Sequence, residues 1–240
     1  MTLTFLGTRG NIDVRSRRHW RHTSTLVSHL RVRIMIDCGA DWLGDLNRVA
    51  PDAIVLTHAH PDHVDGLRDG VACPVYAPPA VWRVIERWPV ADLHRLSLLR
   101  PTTILGIEFD ASPCEHSVNA PAVGYRITTG TATVFYAPDV LHIRNAAKVL
   151  KGVALYIGDG ATIARPIVRV ERTHVRVGHA SISTQLDWCA RAGVSRAIFT
   201  HCGRAIVAGP PDVDSQIAAL GRARHVRTRV AYDGLRITLR

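Results

Sequence analysis

The sequence predicts an α/β fold in which sheets are stacked between helices. The first half is rich in short apolar or alternating segments bounded by turns, which are typical of strands. The second half alternates strands with helices, and such an order is typical of layered α/β proteins. The length of 240 residues and the hydrophobic content of 47% suit one domain over residues 1–240 with a substantial core.

The predicted elements of the first half are mainly strands. Residues 1–7 are read as the first strand, TSTLVSHL and RVRIMID as a hairpin, and AIVL as a short, wholly apolar strand. PPAVWRVIERW (78–88) predicts a helix, because prolines precede apolar residues at helical spacing. TTILGIEF predicts one strand, and AVGYRIT with TATVFYA predict a hairpin that turns at Thr129-Gly130.

The second half begins with RNAAKVL, which predicts a helix, and VALYIGD, which predicts a strand. SISTQLDWCARAG predicts a helix with a serine at its start and a glycine at its end. SRAIFTH predicts the next strand and PPDVDSQIAALG the next helix. HVRTRVAYDGLRITL predicts a closing hairpin around Asp233-Gly234, which is a type I′ turn signal.

Composition narrows the class of protein. The five cysteines are scattered without a CxxC pair, and the amino terminus lacks the features of a signal peptide, so a cytoplasmic protein is expected. No segment is long and apolar enough for a membrane span. The net charge is +10, and all but two of the 30 basic residues are arginine, which favours an anionic substrate or nucleic acid but also fits a genomic bias.

The segment APDAIVLTHAHPDHVDGL (50–67) places a cluster of histidines and aspartates directly after an apolar strand. His58 and His60 are two residues apart, so an extended backbone points both imidazoles to one side. Asp62 and His63 follow Pro61, where the chain turns toward a helix, and therefore point at a neighbouring spot. Imidazoles and carboxylates are ligands for zinc, manganese and iron, so this loop predicts a site for two metal ions.

Further metal ligands are expected at the ends of other strands. His116, Asp139 and His201 each follow an apolar strand directly. Strand ends at one edge of stacked sheets can bring these side chains together.

The ordered set His58-x-His60-x-Asp62-His63, His116, Asp139 and His201 resembles the metallo-β-lactamase superfamily over nearly the whole chain. The resemblance implies a four-layer αββα sandwich and two divalent metal ions, zinc foremost, with manganese or iron as alternatives. It implies that His58, His60 and His116 hold one ion, that Asp62, His63 and His201 hold the other, and that Asp139 bridges them with a hydroxide. The aspartate of IDCG (36–39) would support the metal loop.

Within the superfamily, LTFLGTRG, RHTSTLV, EHSVNAPAVGYRI, GHAS (178–181) and AYDGLRI resemble the branch of tRNase Z and the cyclic-phosphate phosphodiesterases. Only 22 residues separate His116 from Asp139, where tRNase Z inserts its tRNA-binding arm. The resemblance therefore implies a phosphodiesterase without that arm. Relatives commonly form homodimers, so a homodimer is also expected.

The resemblance also implies catalytic residues. One of them is Asp62, which is also a metal ligand. His179 of GHAS matches a family histidine and would protonate the leaving group, because an imidazole has a suitable pKa. Asp159 ends an apolar strand and would orient His179. Capping and turn roles remain open for His179 and Asp159. The basic loop RSRRHWRH (15–22) presents Trp20 for stacking on a base, and Arg204 follows His201 and would bind a phosphate.

The leading hypothesis is a metal-dependent hydrolase that cleaves a cyclic or small phosphodiester, or a nucleic acid end. The first alternative is a carboxylic-ester or lactone hydrolase, because the metal pair does not distinguish acyl from phosphoryl chemistry. The second alternative is a nucleic-acid-binding module with structural metals. A second basic stretch, 165–176, is read as ordinary surface, and no membrane partner is expected.

Overall fold

The structure is a computed structural model that describes residues 1–98, 100–130, 132–170 and 175–239. The strands are β1 (Thr2–Gly7), β2 (Ser24–His29), β3 (Val32–Ile36), β4 (Ala53–Val55), β5 (Val75–Ala77), β6 (Leu93–Arg95), β7 (Thr102–Ile104), β8 (Ile107–Glu115), β9 (Ala122–Thr129), β10 (Ala132–Tyr136), β11 (His142–Ile143), β12 (Leu155–Asp159), β13 (Ile167–Val170), β14 (Arg176–His179), β15 (Arg196–Thr200), β16 (Arg227–Val230) and β17 (Arg236–Thr238). The α-helices are α1 (Leu46–Val49), α2 (Pro61–Val64), α3 (Pro79–Ile85), α4 (Ala146–Val149), α5 (Ile182–Ala192), α6 (Arg204–Val207) and α7 (Val213–Arg222).

Two large sheets contain most of these strands. Sheet 1 has the order β17-β1-β2-β3-β4-β5-β6. Sheet 2 has the order β11-β8-β9-β10-β12-β15-β16, and β7 pairs with β8 at its side. β13 and β14 form a separate antiparallel hairpin. Among the described helices, none is long and apolar enough to cross a membrane.

Apolar runs form the strands because their side chains are buried on both faces of a sheet. In β3, Ile34 and Ile36 enter the core between the two sheets, whereas Met35 faces the opposite way into an outer core. In β10, Val134 enters the central core and Phe135 enters the second outer core. The sheets therefore stack face to face, and each has a second apolar face that needs a cover.

Helices cover both outer faces. Val81 and Ile85 of α3 pack with Met35 on the outer side of sheet 1. Leu186 of α5 and Ile217 of α7 lie in the outer core of sheet 2. The resulting order helix, sheet, sheet, helix confirms the predicted four-layer αββα sandwich.

The structure corrects the prediction of one strand over TTILGIEF. The segment forms two antiparallel strands, β7 and β8, which pair Ile104 with Ile107. The chain reverses at Leu105 and Gly106, whose φ values are +47° and +84°. Leu105, Ile107 and Phe109 alternate from the turn into β8, so the apolar pattern alone could not reveal the reversal.

The predicted closing hairpin around Asp233-Gly234 is also wrong. β16 pairs in parallel with β15 in sheet 2, whereas β17 pairs with β1 in sheet 1. Gly234, with a φ of +88°, lets the chain turn between the sheets. The carboxylate of Asp233 accepts hydrogen bonds from the Thr8 hydroxyl and the Trp20 and Arg21 amides, and thereby ties this crossing to the first loop.

Strand directions explain where the site forms. β10, β12 and β15 run parallel to one another, and β8 runs in the same direction because β9 is antiparallel to both β8 and β10. The carboxyl ends of these strands meet at one edge of sheet 2. His116, Asp139, Asp159 and His201 lie at these ends.

Candidate metal centre and active site

The loop after β4 brings four of the predicted ligands to that edge. His60 has an extended backbone, with φ −72° and ψ 149°, and caps α2, whose first residue is Pro61. The proline favours the start of a helix, so Asp62 and His63 lie in its first turn. Asp62 and His63 are buried, and His60 stays partly exposed.

The first group of side chains is the histidine cluster, formed by His58, His60 and His116. The Nδ1 atom of His60 lies 3.0 Å from His58 Nε2 and 3.2 Å from His116 Nε2. Tetrahedral ligand atoms at ordinary zinc–nitrogen distances lie about 3.3 Å apart, so the nitrogens have a spacing suited to one ion.

The second group is the mixed cluster, formed by Asp62, His63 and His201. The Oδ2 atom of Asp62 lies 3.2 Å from His201 Nε2 and 3.4 Å from His63 Nε2. All three side chains are buried. Their ligand atoms lie within 4.8 Å of one another.

Asp139 lies between the two clusters. Its Oδ2 atom is 3.3 Å from His58 Nε2 in the histidine cluster. The same oxygen is 3.5 Å from His201 Nε2 and 3.8 Å from His63 Nε2 in the mixed cluster. One carboxylate therefore reaches both groups.

Buried neighbours orient the imidazoles. Asp37 accepts a hydrogen bond from His63 Nδ1 at 2.8 Å and two more from the amide and hydroxyl of Thr57. The His116 Nδ1 atom donates to the Gly178 carbonyl at 3.0 Å, and His58 Nδ1 lies 3.1 Å from the Thr57 hydroxyl. Each Nε2 atom is thereby turned toward the centre of the cluster.

Two residues of this region have left-handed backbones. Asp37 has a φ of +61° and His201 a φ of +53°. Such a conformation costs on the order of 1–3 kcal/mol for a residue other than glycine, and it is commonly retained at functional sites. Gly10 packs against the ring of His201, where a Cβ would lie 3.2 Å from two ring atoms.

The electrostatics of the clusters differ. Burial lowers the pKa of His58 well below its usual value, and burial with nearby His116 lowers the pKa of His60 to about 4. Burial also opposes a charge on His63, but Asp62 and Asp37 outweigh it and raise its pKa to about 10. For His201, Asp139 and its other carboxylate neighbours likewise overcome burial and raise the pKa to about 10.

The residues present fit divalent metal ions. Among the described residues, the buried His63 Nε2 atom has no well-aligned hydrogen-bond partner although three ligand-type side chains surround it. A buried polar atom without a partner is costly unless an ion or water satisfies it. Nitrogen and carboxylate donors at this spacing are the set that zinc and similar ions prefer.

His179 and Asp159 adjoin the clusters. The Nδ1 atom of His179 lies 2.8 Å from Asp159 Oδ2 and 2.9 Å from Asp139 Oδ1. Burial alone would lower the pKa of His179, but these two carboxylates outweigh it and raise the pKa to about 11. Asp159 is held in turn by the amides of Val140 and Ala161.

A cavity of about 830 Å³ opens above the clusters. His60, Asp62, His116, Asp139, His179 and His201 line its floor. Arg204 lines its wall with a side chain that is 66% exposed and lies 4.0 Å from Asp13. Arg204 thus lines the cavity, and its role in binding a phosphate stays a prediction.

Trp20 does not line this cavity. Its side chain is 56% exposed, and the guanidinium of Arg15 lies 5.1 Å from its ring centroid. Arginines of the same loop are paired with carboxylates: Arg15 with Asp41, Arg18 with Asp214 and Arg21 with Asp45. The stacking role of Trp20 stays a prediction.

One wall of the cavity was not predicted from the sequence. Ile167, Arg169, Val170 and Val177 of the β13–β14 hairpin line it, whereas the sequence pattern predicts ordinary surface for residues 165–176. Residues 171–174 of that stretch lie outside the described residues. The alternation in PIVRV and HVRV could have indicated a hairpin.

Comparison with known families matches residues 32–202 to the beta-lactamase superfamily domain. The ribonuclease Z of Mycolicibacterium paratuberculosis (strain ATCC BAA-968 / K-10) is 24% identical to this chain in an alignment that covers 82% of this chain and 85% of that protein.

Solved structures share the fold. The metallo-beta-lactamase fold protein YhfI from Bacillus subtilis has a TM-score of 0.77 and 16% identity, with 98% of each chain covered. A diphosphatase from the PhnP family has a TM-score of 0.70 and 21% identity, with 98% of this chain and 96% of that chain covered.

Proposed function

Since the chain belongs to the beta-lactamase superfamily, we propose that it is a dinuclear metal-dependent phosphodiesterase. The observation that carries the proposal is the position of Asp139 Oδ2, which lies 3.3 Å from His58 Nε2 and 3.5 Å from His201 Nε2. A carboxylate within reach of two separate ligand groups is suited to a pair of ions. We propose cyclic or small phosphodiesters, or nucleic acid ends, as substrates.

In this proposal the histidine cluster would hold one ion, the mixed cluster would hold the other, and Asp139 would serve both. Zinc is the proposed ion because nitrogen and carboxylate ligands at tetrahedral spacing suit it, with manganese or iron as alternatives. The bound ions would supply a water whose pKa is lowered to about 7 and would neutralise charge on the phosphoryl oxygens.

His179 is the proposed acid for the leaving oxygen. Its Nδ1 atom faces the carboxylates of Asp159 and Asp139, so Nε2 is the nitrogen free to donate a proton. Asp159 fixes the ring through the 2.8 Å contact and stabilises its positive charge. The two carboxylates favour the protonated imidazole, which is the form that an acid must start from.

Several observations support phosphate rather than carboxylic-ester chemistry. The sequence relative bears the name ribonuclease Z, and one structural neighbour is described as a diphosphatase. Arg204 places an exposed guanidinium at the cavity, and this group binds phosphate oxygens in bidentate fashion. A net charge of +10 favours anionic substrates as well.

The proposal is tested with a panel of bis(nitrophenyl) phosphate, 2′,3′-cyclic nucleotides, a lactone and a β-lactam, each with zinc and with manganese. We expect turnover of at least one phosphodiester and its loss on chelation. Turnover confined to the lactone would replace the proposal by carboxylic-ester hydrolysis. Binding of nucleic acid without turnover of any compound would favour a binding module.

The role of His179 has its own test. We expect His179→Ala to slow cleavage of a phosphodiester with an alkoxide leaving group by about 10²–10⁴-fold, but to slow a nitrophenyl ester far less, because nitrophenolate departs without a proton. His142→Ala, which removes an exposed imidazole outside the cavity, serves as the control. Equal losses on both esters would remove the acid role from His179.

The expected homodimer stays a prediction. Light scattering at several protein concentrations tests it directly, because a dimer has twice the mass of the 26.3 kDa chain.

A further inference from the structure

The β13–β14 hairpin presents one of its faces to the active-site cavity. Ile167 pairs with His179 and Arg169 pairs with Val177 in its register. Directly opposed residues of an antiparallel pair point to the same face, and residues two apart share that face. The face that carries His179 therefore also carries Ile167, Val177 and Arg169, and all four residues line the cavity.

The hairpin is held firmly against the metal centre at the His179 end. The amide of Gly178 donates to the carbonyl of His116 at 2.8 Å, and the carbonyl of Gly178 accepts from His116 Nδ1 at 3.0 Å. The distance from Ile167 to Arg169 along the strand is about 7 Å. Arg169 therefore lies beyond His179, toward the outer part of the cavity.

Arg169 has no carboxylate partner in the part of the chain that the structure describes, and it is exposed. This distinguishes it from the arginines of the first loop, such as Arg18 and Arg21, which are paired with Asp214 and Asp45. A guanidinium that lines an active-site cavity without a counter-ion can form bidentate hydrogen bonds to a phosphate.

We propose that Arg169 binds a second phosphate of the substrate, next to the phosphodiester that is cleaved. This inference rests on the proposed function. On the same face, Ile167 lies opposite His179 and Val177 lies opposite Arg169, and they supply an apolar surface for the sugar or base that joins two phosphates. The substrate class is thus a nucleotide that carries a phosphate on each side of one sugar.

Matched esters test the inference. Thymidine 5′-(nitrophenyl phosphate) has one phosphate, and its 3′-phosphorylated form has a second phosphate but the same scissile bond and leaving group. We expect kcat/KM to be about tenfold higher for the second ester, which corresponds to one good charged contact. A third ester carries a methylated 3′-phosphate, which mimics the phosphodiester of a continuing chain. If this ester shows the same gain in kcat/KM, the site accepts a continuing chain; if only the unmethylated ester shows the gain, the site binds a terminal phosphate.

Variants assign the gain to the residue. Arg169→Gln should lower the ratio of kcat/KM between the doubly and singly phosphorylated esters to about one, and Arg169→Lys should lower it only in part, because an ammonium group cannot bind in bidentate fashion. Arg176→Gln is the control: Arg176 is exposed on the same hairpin but does not line the cavity, so the ratio should stay unchanged.

Binding gives a readout without turnover. Calorimetry with the metal-loaded protein should show that thymidine 3′,5′-bisphosphate binds about tenfold more tightly than thymidine 5′-monophosphate, and Arg169→Gln should remove the difference. Equal kcat/KM values for the singly and doubly phosphorylated esters would overturn this inference and leave the proposed function intact. No turnover of any phosphodiester would overturn both.

Discussion

The histidine cluster and the mixed cluster lie side by side and share Asp139, yet their imidazoles are supported differently. In the mixed cluster, the buried carboxylate of Asp37 accepts from His63 Nδ1 at 2.8 Å. In the histidine cluster, the Thr57 hydroxyl supports His58 and the Gly178 carbonyl supports His116, whose Nδ1 atom also lies 2.8 Å from Asp139 Oδ1. The mixed cluster therefore has a carboxylate support of its own, Asp37, whereas the carboxylate near the histidine cluster is the shared Asp139.

This difference sets the protonation state of each cluster before an ion binds. His63 has carboxylate oxygens near both ring nitrogens, at 2.8 Å and 3.4 Å, which favours a doubly protonated ring. His58 and His60 have lowered pKa values and are neutral at pH 7. An ion must displace protons from the mixed cluster, whereas the histidine cluster is already deprotonated at these two rings.

The largest expected effect comes from the residue that the clusters share. Asp139→Ala should remove both ions and lower phosphodiesterase activity by more than about 10³-fold, because it deletes the proposed shared ligand and leaves buried imidazoles without their carboxylate. Asp62→Ala in the mixed cluster and His60→Ala in the histidine cluster should each remove one ion. Metal analysis of the purified variants checks this, and two ions retained in Asp62→Ala would contradict its assignment as a ligand.

A smaller effect is expected from the supporting residues. Asp37→Asn should weaken binding of the ion in the mixed cluster by about 10–100-fold, because it removes the charge that orients His63. Thr57→Val removes the neutral hydroxyl beside His58, and it should weaken binding of the ion in the histidine cluster by a smaller factor. Stepwise metal titration measures both variants, and equal losses would show that the charge of the support is unimportant.

The last expected effect is a difference in pH dependence. Because His63 and His201 have raised pKa values of about 10 in the absence of ions, protons compete with the ion as the pH falls. The affinity of the mixed cluster should therefore rise with pH, by about tenfold per unit for each proton released, between about pH 6 and 9. Over this range the neutral His58 and His60 should release no protons. Metal titration at several pH values measures both affinities. If both affinities rose equally with pH, the distinction between the two clusters would be removed.

The His-x-His-x-Asp-His loop is local in sequence, and its position after an apolar strand was enough to predict a metal site. The strand ends that carry His116, Asp139 and His201 were also recognisable, because each follows a short buried strand. The structure brings these residues to one edge, with Asp139 between the clusters. Their roles as ligands remain proposals.

Segments whose position depends on distant partners were predicted less well, because their local sequence does not indicate those partners. The closing segment around Gly234 reads locally as a hairpin, but β16 finds a parallel partner in sheet 2 and β17 finds an edge beside β1 in sheet 1. The β13–β14 hairpin reads as basic surface, and only its docking against His116 through Gly178 makes Arg169 part of the cavity.

The sequence by itself determined the layers of the fold and the identity of the clustered side chains, because periodicity and residue chemistry are local properties. The tertiary structure decided which strands became neighbours, which support each imidazole received, and which face of the hairpin met the cavity. Those outcomes depend on contacts between segments far apart in the chain, such as Asp37 with His63 and Gly178 with His116. No local sequence pattern indicates that the two residues of such a pair lie in contact.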